Sequence, residues 1–266
     1  MITPVAVRQL QRGLDAVRQA LPAISGLSAA DGRALGKYYG AWISSAFQPW
    51  RTPDGAIVAV EAYARSHSKN GADLSPWPLF ADAALDSDLV TLDRLCRTVH
   101  ALNYFHGAFQ QPLVLNVDAR LLQAVPERHG EFFGKVLALL GVPSSRIVIE
   151  IHTTKLLDLT RMKQILASYR RHGFAVAVNA DSVIHARSLA HLLVPDLLMI
   201  DAAAFNPDTL GRQVESLHDA GVRVAVKRIE SAEMHAVAVA GAVNWIQGFH
   251  LDLPSADLSA FAANQA

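Results

Sequence analysis

Ile43-Ser44-Ser45-Ala46-Phe47-Gln48-Pro49-Trp50, followed by Arg51-Thr52-Pro53-Asp54-Gly55 and then Ala56-Ile57-Val58-Ala59-Val60-Glu61-Ala62-Tyr63, is the stretch whose reading decides the fold. Two runs of strand length flank a Pro-Asp-Gly turn, which predicts an antiparallel hairpin over Ile43–Trp50 and Ala56–Tyr63. Downstream, apolar runs of strand length alternate with longer helical patterns, the signal for a parallel α/β sheet. The candidate strands are Leu113–Val117, Ile147–Ile151, Ala175–Val178, Leu197–Ile200, Val222–Val226 and Val243–Ile246. Several are continuous Val, Ile, Leu and Ala runs, as expected of strands covered on both faces. The candidate helices between them are Pro78–Asn103, Ala119–Leu140, Leu156–His172, Asn206–Ala220 and Ser231–Ala240. The total is about eight strands, for which a (β/α)8 barrel is the natural closure. The antiparallel hairpin at its start makes this TIM-like barrel an irregular one.

The segment before the hairpin reads differently and divides the chain into residues 1–42 and a barrel over 43–266. Thr3 can cap a helix that has Pro4 at its first position. Leu10, Leu14, Val17 and Leu21 then recur at helical spacing, with Arg8, Arg12, Asp15 and Arg18 between them. A second amphipathic helix is expected from about Ala29 to Trp42. Such stripes usually serve a core; the sharper alternative is a partner-binding or dimer helix.

Composition excludes several classes. Of 266 residues, 51% are apolar, which supports a large core and argues against disorder. Lys and Arg total 24 and Asp and Glu total 24, so there is no basic excess for nucleic acid and no polybasic run for an anionic membrane. The single cysteine, Cys96, excludes a disulfide framework or a Cys-based zinc site and suits a reducing, cytoplasmic setting. No run has the roughly 18 uncharged apolar residues of a spanning helix, and Met1–Leu10 lacks a signal-peptide core. Among the histidines, His172, His185 and His191 cluster in sequence but match no common zinc motif. A Ser-His-Asp nucleophilic site finds no elbow motif.

A set of ordered motifs is more specific. Phe47-Gln48-Pro49 precedes Glu61-Ala62-Tyr63-Ala64-Arg65; Asn116 ends one strand and Glu150 lies in the next; Gln247-Gly248-Phe249 comes before Pro254. In that order, from Phe47 to Pro254, these resemble the EAL family, the barrel phosphodiesterases that linearise cyclic di-GMP. The resemblance implies that Glu61, Asn116 and Glu150 match metal-ligand positions at strand ends. It implies that Gln48, Arg65 and Gln247 match positions lining the dinucleotide pocket. Arg65 can grip phosphate oxygens with two parallel hydrogen bonds. Trp50, Trp77 and Phe249 are candidates for stacking on bases, against the more common role of core aromatics.

The chain departs from the family pattern where the chemistry is hardest. Two divalent ions about 3.5–4 Å apart activate water and clamp phosphate oxygens, and such ions need several oxygen ligands. The family's Asp-Asp pair aligns with Asn179 and Ala180, and its Phe-Gly-Thr-Gly with Asp181-Ser182-Val183-Ile184. A one-residue shift would bring Asp181 into the pair. Its Lys aligns with Met199, two residues before Asp201. Its Ala-Glu-Gly-Val-Glu aligns with Val226-Lys227-Arg228-Ile229-Glu230, so Lys227 replaces a carboxylate while Glu230 is kept. A lysine there opposes a divalent cation and can pair with Glu61 or Glu150 in its place.

The expectation is therefore a catalytically degenerate EAL-like regulatory protein with no resident cofactor. Within it, a metal-independent cyclic di-GMP receptor and a protein-interaction module with a regulatory protein partner stay open. The resemblance also leaves room for a homodimer. The alternative is an active phosphodiesterase that gives pGpG, using Mg or Mn on Glu61, Asn116 and Glu150.

Overall fold

A computed structural model describes every residue except 1–2, 76–78, 81–84, 108, 118, 125–128, 153–157, 205 and 263–266. Its centre is one sheet closed on itself. Strands β3 (Ala41–Arg51), β4 (Ile57–His67), β6 (Leu113–Val117), β7 (Ile147–His152), β8 (Ala175–Ala180), β9 (Leu197–Asp201), β10 (Arg223–Lys227) and β11 (Trp245–Ile246) pair in a ring. From β4 round to β11 the neighbours run parallel, while β3 is antiparallel to both β4 and β11. This is the irregular eight-stranded barrel expected from the sequence. The Pro53-Asp54-Gly55 turn explains the reversal: Gly55 has φ 97°, and Gly55 N–H closes on Thr52 O at 2.9 Å.

The segment Ala29–Trp42 corrects an expectation. It is not helical but holds β1 (Leu27–Ala30), β2 (Arg33–Tyr38) and the start of β3. Asp31 (φ 50°) and Gly32 (φ 73°) make consecutive left-handed residues, the backbone of a tight two-residue hairpin. Ala34, Gly36 and Tyr38 alternate inward on β2. Ala34 and Gly36 leave room for helix α2 (Asp86–Phe105), and a Cβ on Gly36 would stand 2.9 Å from Leu95 Cγ. Asn103 of α2 accepts from Ala34 N–H at 2.7 Å and donates to Ala34 O at 3.0 Å, so the strand's backbone is satisfied from the helix. Helical spacing in this stretch lost to a turn dipeptide and to a docking surface supplied by a distant helix.

Helix α1 (Pro4–Ala20) starts as the sequence indicates, with Thr3 accepting from Ala6 N–H at 3.2 Å. Its stripe of Leu10, Leu14 and Val17 is buried in the main core. The remaining helices are α3 (Ala119–Ala124), α4 (Glu131–Leu139), α5 (Leu159–Arg171), α6 (Val183–Leu193), α7 (Pro207–Asp219), α8 (Ala232–Ala240) and α9 (Ser259–Ala262). The single helix expected over Ala119–Leu140 is divided, and α4 starts after Gly130 at φ 91°. Helix α6 was not expected. Ser182 caps it by accepting from His185 N–H, so the rewritten segment after β8 is a helix start rather than a long loop. The expected helix starts at Pro78 and Leu156, and Trp77, lie outside the described residues. Among the described residues no helix is long and apolar enough to cross a membrane.

Apolar side chains form two layers. Most lie between the sheet and the helices. A smaller cluster of Trp50, Ala59, Val114, Val148, Ala177, Leu197, Met199 and Ala225 fills the barrel interior. Side chains alternate across a strand, so the residues two positions further on share the inward face. That parity delivers Glu61, Asn116, Glu150, Asn179 and Lys227 to one end of the barrel, the C-terminal ends of the parallel strands.

His100 of α2 is 5% exposed and pairs with Ser45 Oγ at 2.7 Å. Burial, then the charges of Arg65 and Arg97, push its pKa down to about 3 from 6.5. The unfolded chain therefore binds a proton between those two values that the fold refuses, and stability falls as pH drops through 6.5. Between pH 6.5 and 5, His100 alone is expected to remove about 2 kcal/mol, with buried His129 acting in the same direction. Urea unfolding across that range measures it; a flat profile would contradict the assignment.

Candidate functional site

Two carboxylates are buried at the barrel mouth, Glu61 at 3% exposure and Glu150 at 0%. A buried carboxylate is costly unless hydrogen-bond donors and charge offset the loss of water, so what surrounds these two defines the site. Glu61 Oε1 accepts from Asn116 Nδ2 at 2.7 Å. Its Oε2 accepts from Gln247 Nε2 at 3.1 Å and Trp50 Nε1 at 3.2 Å. Glu150 Oε1 accepts from Asn179 Nδ2 at 2.6 Å and from the Lys227 ammonium at 2.9 Å. His152 Nε2 stands 3.4 Å from that oxygen and 3.1 Å from Asn116 Oδ1. Glu150 Oε2 is buried without a hydrogen-bond partner among the described residues.

Burial, and next the Glu150 charge, push the Glu61 carboxyl pKa upward. The Asn116 and Gln247 hydrogen bonds and the Lys227 charge pull it back. Tyr63, two residues along from Glu61, shares its face, and its hydroxyl meets Gln247 Oε1 at 3.4 Å. Burial and the two carboxylates raise the phenol's pKa, so it stays a neutral donor.

The loops after β10 and β11 hold this arrangement closed. Gln247 O accepts from Ile229 N–H at 3.0 Å, and Ile229 O accepts from His250 N–H at 3.0 Å. A Cβ on Gly248 would lie 2.0 Å from Ile229 O, so only glycine allows the approach. Arg228 follows Lys227 in the left-handed region, at φ 62°. It turns back to pair with Asp201 at 2.9 Å, whose position on β9 is in register with Lys227. On the far side, Arg51 and Asp252 form a buried two-pronged ion pair at 2.6 and 2.8 Å that ties β3 to the loop after β11.

Of the residues marked from sequence, Glu61, Asn116, Glu150, Asn179, Lys227 and Gln247 form this one hydrogen-bonded group. Others stand apart from it. Gln48 is buried and donates to Asp252 O at 2.7 Å. Arg65 is half-buried one inward position beyond Tyr63, with its guanidinium 5.9 Å from the Tyr63 ring and donating to Ala64 O. Met199 is fully buried in the barrel interior, in register with Asn179 and Ala225. Ala180 points outward into the helix-facing core. Glu230 is exposed in the loop before α8. Asp181 has an 82% exposed side chain beside His185 and is outside the Glu61–Glu150 group. Trp50 is fully buried and bonds Glu61, which removes it as a stacking surface for a base, whereas Phe249 is 61% exposed at the rim. Tyr63 and His152 were passed over in the sequence, although each follows a marked glutamate by two residues and must share its face. Among the described residues no three His, Cys, Asp or Glu side chains are grouped to hold a metal ion.

The EAL domain model matches residues 39–254, and the chain belongs to that family. No curated protein matches the chain in sequence. Among solved structures, the Bacillus subtilis YkuI protein, with an EAL domain and in complex with substrate cyclic di-GMP and calcium, is 21% identical at TM-score 0.67. That match covers 84% of this chain and 60% of YkuI, so the chain spans well under the whole of it. The Pseudomonas aeruginosa FimX EAL domain bound to cyclic di-GMP is 21% identical at TM-score 0.67, covering 92% of this chain and 97% of that one. The Xanthomonas citri FimX EAL domain in complex with cyclic di-GMP is 18% identical at TM-score 0.65, covering 93% and 95%. At these identities the likeness is one of fold.

Lys227→Met removes the ammonium that pairs with Glu150 and leaves a buried carboxylate underpaired. Its expected cost is about 3 kcal/mol in urea unfolding. The double substitution Lys227→Met/Glu150→Gln, which removes the charge along with its partner, should recover most of that. A single variant within about 0.5 kcal/mol of the parent would show that the pair carries no such weight.

Proposed function

We propose that this chain is a catalytically degenerate EAL domain that binds cyclic di-GMP without a metal. The observation that carries the reading is the Lys227 ammonium, 2.9 Å from Glu150 Oε1. A cation already stands against the carboxylate that the family resemblance marks as a metal ligand. Asn179 donates an amide N–H to the same oxygen, and three further N–H donors cover both oxygens of Glu61.

The residues present do not fit a divalent pair. Such ions need several free carboxylate or carbonyl oxygens, and here nitrogen donors occupy three of the four carboxylate oxygens. A lysine in the first layer adds direct repulsion. Exposed Asp181 offers no replacement, since its carboxylate lies beside His185. On this reading the hydrolytic step has lost its means of activating water.

Binding needs less. Arg65, Lys227 at 20% side-chain exposure, and His152 at 48% present nitrogen donors at the mouth for phosphate oxygens. Three solved relatives of this fold carry cyclic di-GMP. The interaction-module alternative loses one support, because the α1 stripe is spent on the chain's own core.

Calorimetric titration of cyclic di-GMP, with magnesium and again with chelator, tests the proposal. The expected result is binding that ignores chelator, no turnover to pGpG, and a loss of about 1.5–3 kcal/mol on Arg65→Ala. Binding that requires metal and leads to pGpG would restore the phosphodiesterase. No binding in either condition would move the function to a protein partner.

A further inference from the structure

The paired strands β3 and β4 do not stop at the barrel mouth. β6 pairs with β4 only across Val60–Ala62, whereas β3 and β4 stay paired out to Trp42 and His67. The far end of the hairpin therefore projects past the mouth, with the inward-facing positions continuing along it. On that face Ser44 is in register with Arg65, and His67 follows Arg65 by two residues. Asp73 of β5 (Asp73–Leu74) pairs in register with His67.

These three side chains form a connected relay. Ser44 Oγ lies 3.1 Å from His67 Nε2, and His67 Nδ1 lies 2.9 Å from Asp73 Oδ1. A carboxylate only accepts, so Nδ1 carries the hydrogen and the neutral ring presents Nε2 as acceptor to the serine hydroxyl. Hydroxyl to Nε2, Nδ1 to carboxylate, is the arrangement that activates a serine nucleophile, and it is recognised by geometry rather than by sequence order. The absence of an elbow motif is no obstacle, because cross-strand pairing supplies the juxtaposition instead. Ser44 is half-buried and the His67 side chain is 34% exposed, so a small substrate reaches both. Arg65 stands directly across from Ser44, their Cβ atoms about 5 Å apart as for any cross-strand pair, and its guanidinium lies 5.9 Å from the Tyr63 ring. It is a cation on the same face as Ser44 and His67, suited to an anionic group on the substrate.

We propose that Ser44, His67 and Asp73 form a second, hydrolytic site for small acyl esters that carry an anionic group. His67 Nε2 takes the Ser44 proton as Oγ bonds to the ester carbonyl carbon. The carbon–oxygen bond to the alcohol breaks, and the leaving alkoxide takes the proton from His67. Water then attacks the acyl-serine, with His67 again as base, to release the acid and restore Ser44. Asp73 holds the ring and its tautomer. Its 93% exposed side chain leaves that carboxylate hydrated, so turnover is slow compared with a buried triad.

The test treats the full chain with a fluorophosphonate probe and maps the adduct by peptide mass spectrometry. One adduct on Ser44 is expected, absent in Ser44→Ala and formed about 100-fold more slowly in His67→Ala. His67→Gln, which keeps a side chain of similar length at the hairpin end, should be as slow, and circular dichroism checks that both variants are folded. Mono-p-nitrophenyl succinate should turn over at least about 10-fold faster than p-nitrophenyl acetate, a preference lost in Arg65→Ala. No adduct on Ser44, or labelling unchanged by both His67 variants, would reduce the relay to a polar staple of the hairpin. Equal rates for the two esters would remove the anionic-substrate assignment.

Discussion

Two carboxylates that have lost their water sit at the centre of this molecule, and much of its architecture can be read as the means of keeping them. Glu61 and Glu150 lie at the level where β4, β6 and β7 are in parallel register. Asn116, Asn179, Gln247, Trp50 and Lys227 each arrive from a different strand or strand end to donate to them. None of these donors would be near another without the closed barrel. The barrel end would in turn carry an intolerable charge density without the donors. Lys227 is the decisive member, since neutral N–H groups share out a negative charge but only a cation cancels it.

Much of this was legible because a barrel imposes a period of two. Once Glu61, Asn116 and Glu150 are placed near strand ends, parity assigns Ala59, Val114 and Val148 to the barrel interior beneath them. It equally assigns Tyr63 and His152, two residues beyond Glu61 and Glu150, to the mouth, and places Trp50 beside Ala59 in the interior. The substituted positions Asn179 and Lys227 were identifiable from their alignment with the family pattern, and strand parity puts them on the same face. What strand parity does not give is the direction of a flexible tip beyond the strand. Glu230 and Asp181 belong to such tips and point to solvent, while Gln48 spends its amide on a backbone carbonyl two hundred residues away in sequence.

The N-terminal segment was misread for a different physical reason. Leu35, Tyr38 and Trp42 recur at helical spacings of three and four, whereas the buried strand face is Ala34, Gly36 and Tyr38, and amphipathic spacing alone does not separate the two over so short a run. Asp31-Gly32 was the local signal that favours a hairpin. The stronger determinant is tertiary: α2 brings Leu95 onto Gly36 and Asn103 onto the backbone of Ala34. A helix through this stretch would bury those groups without partners.

The β3–β4 hairpin then joins two polar assemblies that physical chemistry treats very differently. Near the barrel, Gln48 and Glu61 are buried, and both oxygens of Glu61 already accept hydrogen bonds. Past the mouth, Ser44, His67 and Asp73 are increasingly wet, and their hydrogen bonds can be remade at little cost. Arg65 stands between the two, close to Tyr63 on one side and opposite Ser44 on the other. The Arg65 guanidinium lies 5.9 Å from the Tyr63 ring and donates to Ala64 O, so the proposed binding of cyclic di-GMP and the proposed ester hydrolysis call on the same side chain.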